Sequence, residues 1–158
     1  MNIEQTQSFN AAEFLHAVQT DAVESKFTPV PAGEYVAAIK RDSITVEKVP
    51  FKNGDEGARF RCQWQIEGEV DGMTNPTVRQ DFLLDINGFS PAGAPRLKTG
   101  ANQNVRLGRL IDLSGQSKTE WSYAALVGAR GKIKVTHRPD KNDPEVVYAE
   151  VSAVAPLS

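Results

Sequence analysis

Arg59-Phe60-Arg61-Cys62-Gln63-Trp64-Gln65-Ile66 alternates with a period of two. Successive side chains of an extended strand point to opposite faces, so Phe60, Cys62, Trp64 and Ile66 share one face, and Arg59, Arg61, Gln63 and Gln65 share the other. Such a segment needs a core on one side and water on the other, which makes it a half-buried strand of an antiparallel sheet. Residues 77–86 repeat the pattern: Val78, Phe82, Leu84 and Ile86 fall together, with Arg79 and Asp81 opposite. Upstream, Tyr35, Ala37 and Ile39 alternate from Glu34, and Ile44 and Val46 continue on the opposite parity. That slip implies an extra residue near Arg41-Asp42-Ser43, a bulge that bends one long strand so that it serves both halves of a small barrel. Lys52-Asn53-Gly54-Asp55-Glu56-Gly57 is the turn into the next strand.

Downstream, residues 87–100 read as a Gly/Pro-rich excursion holding Phe89, Arg96 and Lys98. A helix fits residues 102–114, with Leu107, Leu110, Ile111 and Ser114 on one stripe and Gly115 as its stop. Gly108 costs that helix about 1 kcal/mol relative to alanine unless close packing requires a bare backbone there. A short turn over residues 122–127 follows. Residues 132–138 and 145–154 give two further strands, joined by the loop Pro139-Asp140-Lys141-Asn142-Asp143-Pro144.

Three strands, a helix and two strands is the element order of the oligonucleotide-binding (OB) fold, a five-stranded Greek-key barrel with the helix plugging one end. The barrel domain is expected over residues 28–158, entered through Thr28-Pro29-Val30-Pro31-Ala32-Gly33, where two prolines and a glycine exclude helix. Residues 1–27 read as an N-terminal arm with one short helix. Asn10 and Glu13 there match a capping box ahead of Phe14, Leu15 and Val18, an apolar stripe expected to dock in cis or in trans.

At 158 residues and 40% hydrophobic side chains the chain is sized and composed for one globular domain. The start Met1-Asn2-Ile3-Glu4-Gln5 is not that of a signal peptide and no apolar run reaches the roughly 18 residues of a membrane span, so a cytosolic chain with no membrane partner is expected. Cys62 is the single cysteine, so no internal disulfide forms, and no Cys/His spacing suggests a metal. Neither a phosphate-cradling Gly-rich loop nor a His-Glu-x-x-His motif is present. His16 lies on the arm, while His137 and Cys62 take inward parity, so no catalytic residue and no cofactor is expected.

Although the net charge is −2, residues 96–141 hold ten basic and three acidic side chains, a local balance of +7. A local positive field attracts phosphate on a mildly acidic protein. OB barrels bind oligonucleotides on the outer face of their second and third strands, between the loops joining strands one to two and four to five. Arg59, Arg61 and Arg79 fall on that face, with Lys132, Lys134, Arg138 and Lys141 on strand four and its loop, as candidates to track a phosphate backbone. Phe51, Phe89 and Tyr148 are candidates to stack on bases. The competing reading of each cation is a solvated strand face, and of Trp64, core.

Three blocks carry a family resemblance: Phe27-Thr28-Pro29-Val30-Pro31-Ala32-Gly33-Glu34-Tyr35, Trp64-Gln65-Ile66-Glu67-Gly68, and Leu126-Val127-Gly128 leading into Lys132-Ile133-Lys134-Val135. With the helix around Leu107-Gly108-Arg109-Leu110, the chain resembles, over about residues 27–154, a family of phage-encoded single-stranded-DNA-binding proteins. The resemblance implies sequence-tolerant binding of single-stranded DNA in phage replication and recombination, in the cytoplasm of the infected host, alongside other phage replication or recombination proteins. It carries over no individual DNA contact. Val154-Ala155-Pro156-Leu157-Ser158 lacks the acidic run with which many such proteins recruit partners, so recruitment by that route is not expected. The alternative is a non-enzymatic virion structural or capsid-decoration protein, in which the arm and residues 87–100 reach over neighbouring subunits. Either reading admits a homo-oligomer.

Overall fold

Period-two alternation, once formed into strands, has to bury its apolar face, and in the computed structural model, which describes residues 10–23 and 28–157, it does so on a six-stranded mixed sheet. The described elements are α1 (Ala11–His16), β1 (Gly33–Ile39), β2 (Thr45–Pro50), β3 (Glu56–Ile66), β4 (Glu69–Val70), β5 (Met73–Thr74), β6 (Thr77–Leu84), β7 (Ile86–Phe89), β8 (Pro95–Leu97), α2 (Val105–Leu113), a 3-10 turn (Ala124–Leu126), β9 (Arg130–Pro139) and β10 (Val147–Ala155).

The main sheet runs β1-β9-β10-β6-β3-β2, and β1 also pairs with β3, so the sheet curls until its first strand meets its fifth. All its pairings are antiparallel except β6–β10, which is parallel and joins Arg79 to Glu150. The expected single first strand is two, giving six strands where five were expected. Asp42, in the left-handed conformation at φ 60°, turns the chain between β1 and β2. β1 pairs with β9 and the far end of β3, while β2 pairs with the near end of β3.

Phe60, Cys62, Trp64 and Ile66 are buried, and so are Val78, Phe82 and Leu84. Between Val78 and Phe82 the inward position belongs to Gln80, a polar residue that the alternation did not reveal; its Oε1 accepts from Trp64 Nε1 at 2.8 Å. A buried indole N–H without a partner costs about 1–3 kcal/mol, so Gln80 completes the core. Burial pushes the Cys62 thiol up to about 12, leaving it protonated. Leu107, Leu110 and Ile111 of α2 are buried, as the stripe requires, although the helix spans 105–113. Close packing does not explain Gly108, because an added Cβ would meet nothing within 4 Å.

A further expectation is corrected. Residues 87–100 are not an irregular excursion: β7 and β8 form a hairpin, and Ile86 belongs to it, not to the third core strand. Asn104 anchors the hairpin beside α2, donating from Nδ2 to the carbonyls of Asp85 (2.9 Å) and Lys98 (3.0 Å). On the arm, Asn10 Oδ1 caps α1, accepting from Ala12 and Glu13 N–H at 3.1 and 3.2 Å. The helix buries no residue, so of the two expected modes, in cis or in trans, docking in cis is not seen among the described residues; Leu15 and Val18 are 77% and 88% exposed. Among the described residues no helix is long and apolar enough to cross a membrane.

Candidate nucleic-acid interface

The register of β3 on β6 decides which outward side chains meet. Arg61 pairs with Asp81, Arg59 with Leu83 and Gln63 with Arg79, so Asp81 has Arg61 directly across the ladder, Arg59 diagonally across and Arg79 two residues before it on its own strand. Asp81 Oδ2 accepts from Arg61 Nε and Nη2 at 3.1 and 3.0 Å, Arg59 Nε lies 3.4 Å from Oδ1, and Arg79 Nε lies 4.0 Å from Oδ2. These side chains remain between about a quarter and a half exposed, and the cluster holds two more positive than negative charges. Leu83, beside Arg59, is exposed as well.

The band continues onto β10 and β9. Arg79 pairs with Glu150, whose Oε2 lies 3.2 Å from Arg138 Nε. The Arg138 guanidinium lies 5.8 Å from the Tyr148 ring centroid. The Tyr148 hydroxyl donates to Asp140 Oδ2 at 2.7 Å, which raises the phenol above its ordinary range. The same bond, together with the N–H groups of Asn142 and Asn142's neighbour Asp143, holds the Asp140 carboxyl below the ordinary carboxylate value.

At the other end stand Phe51 and Phe89. The Phe51 ring lies over Gly57, where an added Cβ would come within 2.1 Å of it, so the glycine makes room for the ring. Phe89, expected in a loop, ends β7, packs partly against the core and lies 4.6 Å from Lys48 Nζ. Phe51, Gly57, Phe89 and Lys98 line one cleft. From Gly57 to Gln63, the β3 residue opposite Arg79, is six residues of extended strand, roughly 20 Å.

Strand pairing thus brings Arg59, Arg61, Arg79, Arg138 and Tyr148 into one band, with Phe51 and Phe89 at its end. Lys132 and Lys134 share the outward parity of Arg138 on β9, six and four residues before it, and stand beside β1, with Lys132 Nζ 3.9 Å from Glu34. Lys141 is exposed in the β9–β10 loop. His137 keeps its inward parity past the edge of the core, where it is exposed and Nε2 meets the Val30 carbonyl at 2.7 Å, which pins the entry to β1. Sequence reasoning missed the convergence on Asp81, the neutralising role of Glu150 and exposed Leu83; the charged outward parities were visible, the cross-strand register was not. Compared with known proteins, the sequence matches no family model and no curated protein.

Proposed function

We propose that residues 28–158 form an OB-type barrel that binds single-stranded DNA with little regard to sequence, in phage replication or recombination in the host cytoplasm. For the fold, the support is the element order, the double pairing of β1, the parallel contact of β6 with β10 and the helix between β6 and β9. β1 with β2 stands for the first barrel strand, and β3, β6, β9 and β10 for the other four.

The observation that carries the function is the outward band of β3 and β6: an arginine cluster with spare positive charge, between aromatic side chains at two loop-bearing ends. Guanidinium forks suit phosphate oxygens, and aromatic rings accept any base by stacking. The test is a fluorescence-anisotropy titration of labelled single-stranded and duplex oligonucleotides at low and moderate salt. Tight, single-strand-selective binding is expected. If the band's four arginines each neutralise one phosphate, affinity falls about 50-fold between about 50 and 200 mM salt. No binding at low salt sinks the reading.

One observation favours a second reading, a virion-decoration or interaction module: Leu15, Val18 and Val23 of the arm stand exposed, a costly arrangement unless a neighbouring surface covers them. Co-sedimentation with particles, without any shift of oligonucleotide mobility, would select it. An arm that packs on a second copy would make a homo-oligomer under either reading.

A further inference from the structure

The outward band already holds an anion. Asp81 offers one oxygen to Arg59 and the other to Arg61 and Arg79, so a single carboxylate occupies the centre of three guanidinium groups. A carboxylate and a phosphate present the same fork of oxygens to a guanidinium. Asp81 is attached to the strand and cannot leave; it can only be displaced or shared.

We propose that Asp81 is a resident competitor for phosphate, one that tunes the band to accept a chain of phosphates and to refuse a single one. The inference rests on the reading that this band receives a nucleic-acid strand. A lone phosphate entering the cluster exchanges one anion for another, and it does so against the repulsion of the carboxylate beside it. A strand meets the same repulsion at the cluster but brings a linked phosphate to Arg138 as well, which arrives at a raised effective concentration once the first is bound. Asp81 also holds the arginine side chains in place, which favours binding. The charge effect outweighs this, because exposed ion pairs position side chains weakly while the negative charge opposes every phosphate close to it.

The experiment compares wild type with Asp81→Asn, which keeps the shape and one acceptor oxygen, and Asp81→Glu, which keeps the charge. Each is titrated with inorganic phosphate, followed at the arginine Nε–H resonances, and with a labelled oligothymidylate, followed by anisotropy. Wild type and Asp81→Glu are expected to ignore millimolar phosphate. Asp81→Asn is expected to bind it with a shift at Arg61, and to hold the oligonucleotide about tenfold tighter at low salt with a salt slope steeper by about 0.7. Oligonucleotide binding by wild type with no gain of either kind in Asp81→Asn would overturn the proposal and leave the proposed function standing. Phosphate binding gained by Asp81→Asn while no form binds oligonucleotide would overturn the proposed function and with it the tuning for a chain, leaving Asp81 only as a competitor for single phosphate ions. If Asp81→Asn fails to melt cooperatively, Asp81→Ser removes the same charge and decides the matter.

Discussion

On the outward face of β3 and β6, three arginines crowd around Asp81 and run on through Glu150 to Arg138 and Tyr148; on the outward face of β9, Lys132 and Lys134 stand in the same alternating pattern beside Glu34. Both segments present cations on every second residue, and both lie on one sheet. They differ in what the neighbouring strand supplies. β6 meets β3 with one further cation and one shared acid, so three planar guanidinium groups converge on one carboxylate. β1 meets β9 with a single carboxylate facing flexible ammonium groups. Arginine forks held in register suit bidentate contact with phosphate, whereas an exposed lysine is a hydrated point charge.

The sharpest break of that comparison is a pair of double charge reversals. Arg61→Glu, Arg79→Glu should weaken oligonucleotide binding about 100-fold at low salt, because two phosphate contacts become repulsions. Lys132→Glu, Lys134→Glu should change it by less than about threefold. Equal losses in anisotropy titrations would show that the two surfaces act together, with the strand wrapping β9 as well.

The comparison also shows how far the residues themselves speak. Phe60, Cys62, Trp64 and Ile66 declare their face because burial selects apolar side chains at a period of two, and nothing beyond the strand itself is needed to read it. Asp81 declares nothing, since its meaning depends on a register set by a partner strand. Gln80 misleads for a related reason: it occupies a core position as a polar residue and is tolerated only because Trp64 Nε1 donates to it across the ladder. The hairpin of β7 and β8 was hidden because its glycines and prolines read as loop, and amphipathicity in α1 does not specify which surface, in cis or in trans, it docks on.

Gln80 supplies the next effect in size, on the inner side of the same two strands. Gln80→Leu preserves volume but leaves the Trp64 N–H without its partner, and should cost about 2 kcal/mol in urea unfolding. Phosphate contacts lie on the opposite face, so the salt slope of oligonucleotide binding should stay unchanged. A changed slope would mean that the core and the band are coupled through β3 and β6.

Phe51→Ala tests whether the aromatic end belongs to the band. Stacking on a base contributes about 1–3 kcal/mol, so affinity should fall about tenfold with the salt slope intact. A variant that lowered the slope would assign the end to phosphate contacts through Lys98 instead.

The smallest effect lies at the opposite end. The Tyr148 hydroxyl and two backbone N–H groups hold the Asp140 carboxyl below its ordinary value of 3.8. A carboxyl whose folded value is depressed stabilises the folded state above its unfolded value and loses that contribution as the pH falls through the folded one. The relevant window therefore lies below pH 3.8, and Asp140 is fully charged at neutral pH in either state. Tyr148→Phe removes the largest cause of the depression and should flatten the acid limb of a stability-against-pH curve, while urea midpoints at neutral pH drop only slightly. Its ring remains beside Arg138, so oligonucleotide affinity should be retained if stacking is what Tyr148 contributes. A loss of affinity with the acid limb unchanged would instead assign its role to the hydroxyl, acting on a phosphate in place of Asp140.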